Sequence, residues 1–136
     1  MATKKKPVRE DVLVFHAMYL MSVIDGSANT PELHVVEGLL TTLPEFADTS
    51  VDALVAASRG LVTEHGGLLE SLAALTALKG KGIRRKCYLL CAEVAYASGS
   101  VSSLEARLLS SMAKLLKLPA ADTKMILKVL GMKYAG

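Results

Sequence analysis

The sequence predicts an all-α fold, a compact bundle of about seven helices organised around two pseudo-symmetric helical hairpins. Apolar side chains recur at spacings of three and four, and the alternation typical of strands is missing. Hydrophobic residues make up 51% of the chain and aromatic residues only 4%, so the apolar content rests on Leu and Ala, which favour helices. A chain of 136 residues fits one domain that can bury a core without metal or disulfide support.

Each predicted helix ends near a glycine or a proline. The first is apolar on nearly every face, which predicts a position at the centre of the bundle, and Asp25-Gly26 ends it. Pro31 can occupy the first turn of the second helix, and Pro44 halts that helix. Asp48-Thr49-Ser50 offers caps for the third. The predicted helices span approximately residues 9–24, 30–43, 51–65, 68–78, 83–97, 102–118 and 119–131.

An internal repeat relates the two hairpins. A shift of 73 residues places Asp25-Gly26 on Ser98-Gly99 and Glu32 on Glu105. In both copies an apolar helix ends at glycine, a short polar turn follows, and the next helix begins with a glutamate in its first turn. Tandem helical hairpins stacked about a shared core would produce this pattern.

The two glutamates have two interpretations. Ser102 and Glu105 fit a capping box, and Asn29 and Glu32 fit the same register. A carboxylate in the first turn also interacts favourably with the helix dipole. The alternative is ion binding, with acidic residues of both turns as ligands. The first turn is not an EF-hand, because its glycine comes second and its glutamate eighth.

The segments MSVIDGSANTPEL (21–33) and AEVAYASGSVSSLEARLL (92–109) resemble the two halves of the tellurite-resistance TerB-like family. The resemblance covers roughly residues 12–130. It implies a non-enzymatic helical domain linked to stress response, in which acidic residues of both hairpins bind a divalent cation of the Ca or Mg type. By position, Asp25, Glu32 and Glu105 would be metal ligands. Ser98 stands where the family usually has Asp, so it could supply only a neutral oxygen, which weakens a site for Ca²⁺.

Other residue sets predict neither zinc binding nor catalysis. Cys87 and Cys91 lie four apart in a predicted helix, where a disulfide has poor geometry, so two buried reduced thiols are expected. The histidines have no zinc-finger spacing relative to them. No nucleophile is paired with a base in a recognisable pattern, and we therefore expect no enzymatic activity.

The two halves of the sequence carry opposite net charges. Residues 9–78 carry two basic and ten acidic residues, a net charge of −8, whereas residues 79–136 carry eleven basic and three acidic residues, a net charge of +8. Five basic residues lie within residues 79–86. This segment could bind phosphates or an anionic membrane surface. The alternative is that it is only a solvated loop and the first turn of a helix. It lacks the interleaved aromatic residues of a single-strand nucleic-acid groove.

The sequence thus predicts one TerB-like domain over residues 9–136, preceded by a disordered basic tail over residues 1–8. No apolar run is long enough to span a bilayer and no secretory signal is recognisable, so a cytoplasmic location is expected. We expect an interaction domain, with a protein partner or self-association and with weak cation binding at the paired turns. The alternative is a structural adaptor or homo-oligomerising domain without metal.

Overall fold

A computed structural model describes residues 9–24, 30–47, 49–97, 99 and 101–135, with the backbone alone for residues 30–35 and 45. This part of the chain is helical and contains no strand, so the all-α prediction is confirmed. The predicted tail, residues 1–8, lies outside it. The elements are α1 (Glu10–Val23), α2 (Thr30–Thr42), a short 3₁₀ helix (Pro44–Phe46), α3 (Val51–His65), a longer 3₁₀ helix (Glu70–Ala77), α4 (Lys81–Tyr96), α5 (Ser103–Leu115) and α6 (Ala120–Lys133).

Helices α1 and α4 form the centre of the bundle. They contact each other, and α1 also packs against α3 while α4 packs against α6. Ten residues of α1 are buried, from Val12 to Ser22 with Tyr19 the exception. Such burial on every face is what the almost continuous apolar sequence of α1 predicts. The first helices of both predicted hairpins therefore share one core.

The helix ends follow the local sequence signals. The Ser50 hydroxyl accepts a hydrogen bond from the Ala53 N–H at 3.1 Å and caps α3. Gly66 ends the same helix in the left-handed conformation, with φ +86°, and its N–H bonds the Val62 carbonyl at 3.0 Å. Pro44 begins the short 3₁₀ helix directly after α2.

The predicted helix over residues 68–78 is present, but as a 3₁₀ helix. Its buried leucines, Leu72 and Leu75, and the buried Leu78 directly after it are three residues apart. A helix with three residues per turn places such positions on one face, whereas an α-helix would rotate them progressively away from the core. The leucine spacing accounts for the tighter winding.

Side-chain hydrogen bonds and ion pairs connect both ends of the described chain to neighbouring residues. Near the start of α1, Thr49 Oγ1 donates to Asp11 Oδ2 at 3.0 Å, and Arg9 pairs with the same carboxylate at 2.8 Å. Near the end of α6, Glu93 of α4 accepts from the Tyr134 hydroxyl at 2.7 Å and pairs with Lys133. Among the described residues, no helix is both long enough and apolar enough to cross a bilayer.

Candidate functional site

Glu105 is the predicted ligand whose side chain the structure describes. It occupies the third position of α5, where its Oε1 accepts a hydrogen bond from the Ser102 N–H at 2.9 Å. The Glu105 N–H in turn donates to Ser102 Oγ at 3.1 Å. These reciprocal bonds form a capping box, so the capping interpretation is confirmed for this hairpin.

The cap uses only one oxygen of the Glu105 carboxylate. The side chain is buried, with 2% of its surface exposed, and Oε2 has no hydrogen-bond partner within the described residues. A buried, unpaired carboxylate oxygen is costly, because it has lost its hydration without gaining a donor. This oxygen is therefore chemically suited to accept a hydrogen bond or to coordinate a hard cation.

The other predicted ligands belong to the two turns and to the beginning of α2. Asp25, Ser98 and the side chain of Glu32 lie outside the described residues. Gly99 is described: it has φ +88°, and its N–H bonds the Tyr96 carbonyl at 3.0 Å, so the turn after α4 is of the predicted glycine type. The described part of the chain contains no group of three or more His, Cys, Asp or Glu residues arranged to hold a metal ion.

A buried His–Ser pair was not predicted from the sequence. His16 Nε2 lies 2.9 Å from Ser71 Oγ, and both residues are fully buried. Ser71 donates its single hydroxyl proton to the Leu68 carbonyl at 2.6 Å. The imidazole must therefore be the donor to Ser71, which is the reverse of a base that activates a nucleophile. The direction of this hydrogen bond and the burial of both residues indicate a structural role for the pair.

The two cysteines are free and buried, as predicted. Burial raises the pKa of the Cys91 thiol well above its ordinary value, and the hydrogen bond and charge of the adjacent Cys87 act in the same direction. A protonated thiol is a poor nucleophile and a poor metal ligand. The burial of both thiols fits the role of core residues that the sequence predicted for them.

The fold and this site define a class: an all-helical domain built on two hairpins, with an acidic residue at the start of the helix that follows the second turn. The family model for tellurite resistance protein TerB matches residues 12–128. The chain belongs to that family, as its resemblance suggested. Comparison with curated proteins and with solved structures gave no match.

Proposed function

We propose that this TerB-family domain acts without catalysis in a cytoplasmic response to tellurite or a related stress, by binding a protein partner, and that it binds a divalent cation weakly. The cation ligands would be Asp25, Glu32 and Glu105, with Ser98 as a neutral donor. The observation that carries the cation proposal is the buried Oε2 of Glu105, which has no partner in the described part of the chain.

The physical reason is the cost of burying a carboxylate oxygen that has no partner among the described residues. A cation at Oε2 would replace the lost hydration, while Oε1 continues to cap α5. The sequence repeat supplies acidic residues in the first hairpin, and carboxylates are the ligands that Ca²⁺ and Mg²⁺ prefer. Because Ser98 contributes no charge, we expect a dissociation constant on the order of 1 mM.

Calcium titration tests this proposal. If Kd is near 1 mM, then 10 mM calcium chloride should stabilise the domain by about 1.4 kcal/mol, or raise Tm by roughly 5 °C. Glu105→Gln is the informative variant, because glutamine can preserve the capping box while it removes the charged ligand. We expect this variant to fold normally and to lose the calcium-dependent rise in Tm.

Two further variants sharpen the test. Asp52→Asn removes an exposed carboxylate from the first turn of α3 and should leave the calcium response unchanged. Ser98→Asp adds a carboxylate at the second turn and should tighten calcium binding. The cation proposal is overturned if 10 mM calcium moves neither Tm nor the backbone amide resonances, or if Glu105→Gln responds like the wild type.

The role in stress resistance has a separate test. Tellurite-sensitive cells that express the chain should survive a higher tellurite concentration than cells that carry an empty vector. Equal survival at matched expression would contradict this role and would leave the calcium result intact.

A second candidate is a metal-independent adaptor or homo-oligomer. Three apolar side chains of α6 are exposed at helical spacing, Met125 by 56%, Val129 by 49% and Met132 by 65%. Positions four and three residues apart share one helix face, so these residues form a single apolar surface.

Sedimentation at two salt concentrations tests self-association through this surface. The double variant Met125→Gln with Met132→Gln should abolish self-association, whereas Val51→Gln, on α3, should not. A salt-independent monomer would refute it.

A further inference from the structure

A cavity of about 310 Å³ lies where the beginning of α4 meets the connection between α5 and α6. Its wall combines three apolar side chains, Leu116, Leu118 and Pro119, with four basic residues and one acidic residue. The basic residues are Lys81, Arg84, Arg85 and Lys117, and the acidic residue is Asp122. The cavity wall therefore carries a net charge of +3.

Three of these cations form no ion pair with the residues that the structure describes. Within the described residues, the ammonium groups of Lys81 and Lys117 make no hydrogen bond or ion pair. Arg84 donates through Nε to the Leu78 carbonyl at 2.7 Å, which fixes the guanidinium without neutralising its charge. Of the four cations, only Arg85 pairs with a carboxylate of the described residues: its Nε lies 4.0 Å from Asp122 Oδ2, a loose contact in which the arginine side chain is half exposed.

Lys117 reaches the cavity from an unusual backbone position. Helix α5 ends in a Schellman motif, in which the Leu118 N–H bonds the Ala113 carbonyl at 3.0 Å. The left-handed residue of this motif is usually glycine, but here it is Lys117, with φ +55°. A lysine at this position is strained relative to glycine, and it contributes a fourth positive charge to the cavity wall.

The beginning of α4 adds to the positive potential. Its N-cap is Gly80, which offers no side-chain acceptor, and its first turn contains no acidic residue. The first N–H groups of the helix therefore lack a side-chain cap, and an anion near them would be favoured. This effect only supplements the four cations, which are the basis of the inference.

We propose that this cavity binds a phosphoryl group. Arginine and lysine together are typical of phosphate recognition, since the guanidinium presents a fork of donors and each ammonium presents a compact charge. The volume is at the lower limit for small-molecule pockets, so it suits a single phosphate or phosphate ester rather than a dinucleotide. Binding relieves the mutual repulsion of Lys81, Arg84 and Lys117.

The experiment is a titration with inorganic phosphate followed by ¹H–¹⁵N NMR, with sodium chloride adjusted to hold ionic strength constant. The amides of Lys81, Gly82 and Leu118 should shift and reach saturation at millimolar phosphate. Lys81→Gln combined with Lys117→Gln should weaken binding by about tenfold or more, because each lysine supplies a charge-assisted bond. Both lysines are exposed, so the fold should survive, and an unchanged Tm would verify this.

Lys124→Gln with Lys128→Gln is the matched control. It removes two exposed charges from α6 that do not line the cavity, and it should leave phosphate affinity within twofold of the wild type. Two results would overturn the proposal: shifts that do not saturate and are equally produced by chloride, or a control that weakens binding as much as the cavity variant.

Two further titrations identify the source of the phosphoryl group. Glycerol 3-phosphate represents a soluble ester, and phosphatidylcholine vesicles containing phosphatidic acid represent a lipid headgroup. Stronger binding to the soluble ester assigns the cavity to a metabolite, and stronger binding to the vesicles assigns it to a membrane surface. In either case Lys81→Gln with Lys117→Gln must reduce the binding, and failure of both ligands to bind would refute the proposal.

Discussion

Acidification should destabilise this domain through His16. The imidazole donates from Nε2 to Ser71, so Nδ1 carries a lone pair, and Nδ1 is buried without a partner in the described part of the chain. A second proton would have to bind there, in the buried core. Burial, with a smaller contribution from the charge of His65, lowers the pKa of His16 from 6.5 to about 4.

The sign and size of the effect follow from proton linkage. Between pH 4 and pH 6.5 the unfolded chain binds a proton at His16 that the folded chain does not, so stability rises with pH in this window. Moving from pH 7.5 to pH 5.0 should therefore remove about 2 kcal/mol of the free energy of unfolding. That is a large part of the stability of a domain of this size.

Urea denaturation at several pH values, followed by far-UV circular dichroism, measures this loss. His16→Met places an apolar side chain of similar size in the core and removes the titrating group. Between pH 7.5 and pH 5.0 the free energy of unfolding of this variant should therefore fall by about 2 kcal/mol less than that of the wild type. His65→Gln, at the half-buried end of α3, should retain most of the wild-type pH dependence. Parallel curves for the wild type and His16→Met would refute the assignment.

Three other outcomes are expected. Lys117→Gly should raise the free energy of unfolding by about 1 kcal/mol in urea, because glycine adopts φ +55° without strain. Ser102→Ala should lower it by about 1 kcal/mol through loss of the capping box, whereas Ser103→Ala, at an exposed helical position, should change it by less than about 0.5 kcal/mol. Cys87 and Cys91 should react with a thiol reagent only as fast as the domain opens, so addition of urea should accelerate labelling sharply; rapid labelling of the native protein would contradict their burial.

Local signals in the sequence predicted the architecture well. Apolar periodicity located all seven predicted helices. Three helix-end signals were also recognisable, because each depends on residues close together in the chain: the cap at Ser50, the glycine end at Gly66 and the capping box of Ser102 with Glu105. The 3₁₀ winding of residues 70–77 was missed, although leucines three residues apart were a visible signal for it.

The functional features were harder to predict because they depend on tertiary packing. The sequence predicted a capping box at Glu105 as one of two interpretations, but the burial of its second oxygen depends on how α5 packs against its neighbours. The basic run over residues 79–86 was visible, and Lys81, Arg84 and Arg85 do lie in the first turns of α4. That Lys117 joins them at one cavity depends on where the α5–α6 connection folds back. Nothing in the sequence around His16 indicated that Ser71, 55 residues away, would be its hydrogen-bond partner.

The left-handed Lys117 has a consequence for comparison among relatives. A glycine at this position would give a more stable helix end, and a chain selected for stability alone would be expected to carry it. If the lysine serves ligand binding, relatives should divide into two groups. Those with a basic residue here should keep the basic residues that begin α4, whereas those with glycine should be free to lose them. The residue at this one turn would then distinguish TerB-family proteins that bind phosphate from those that do not.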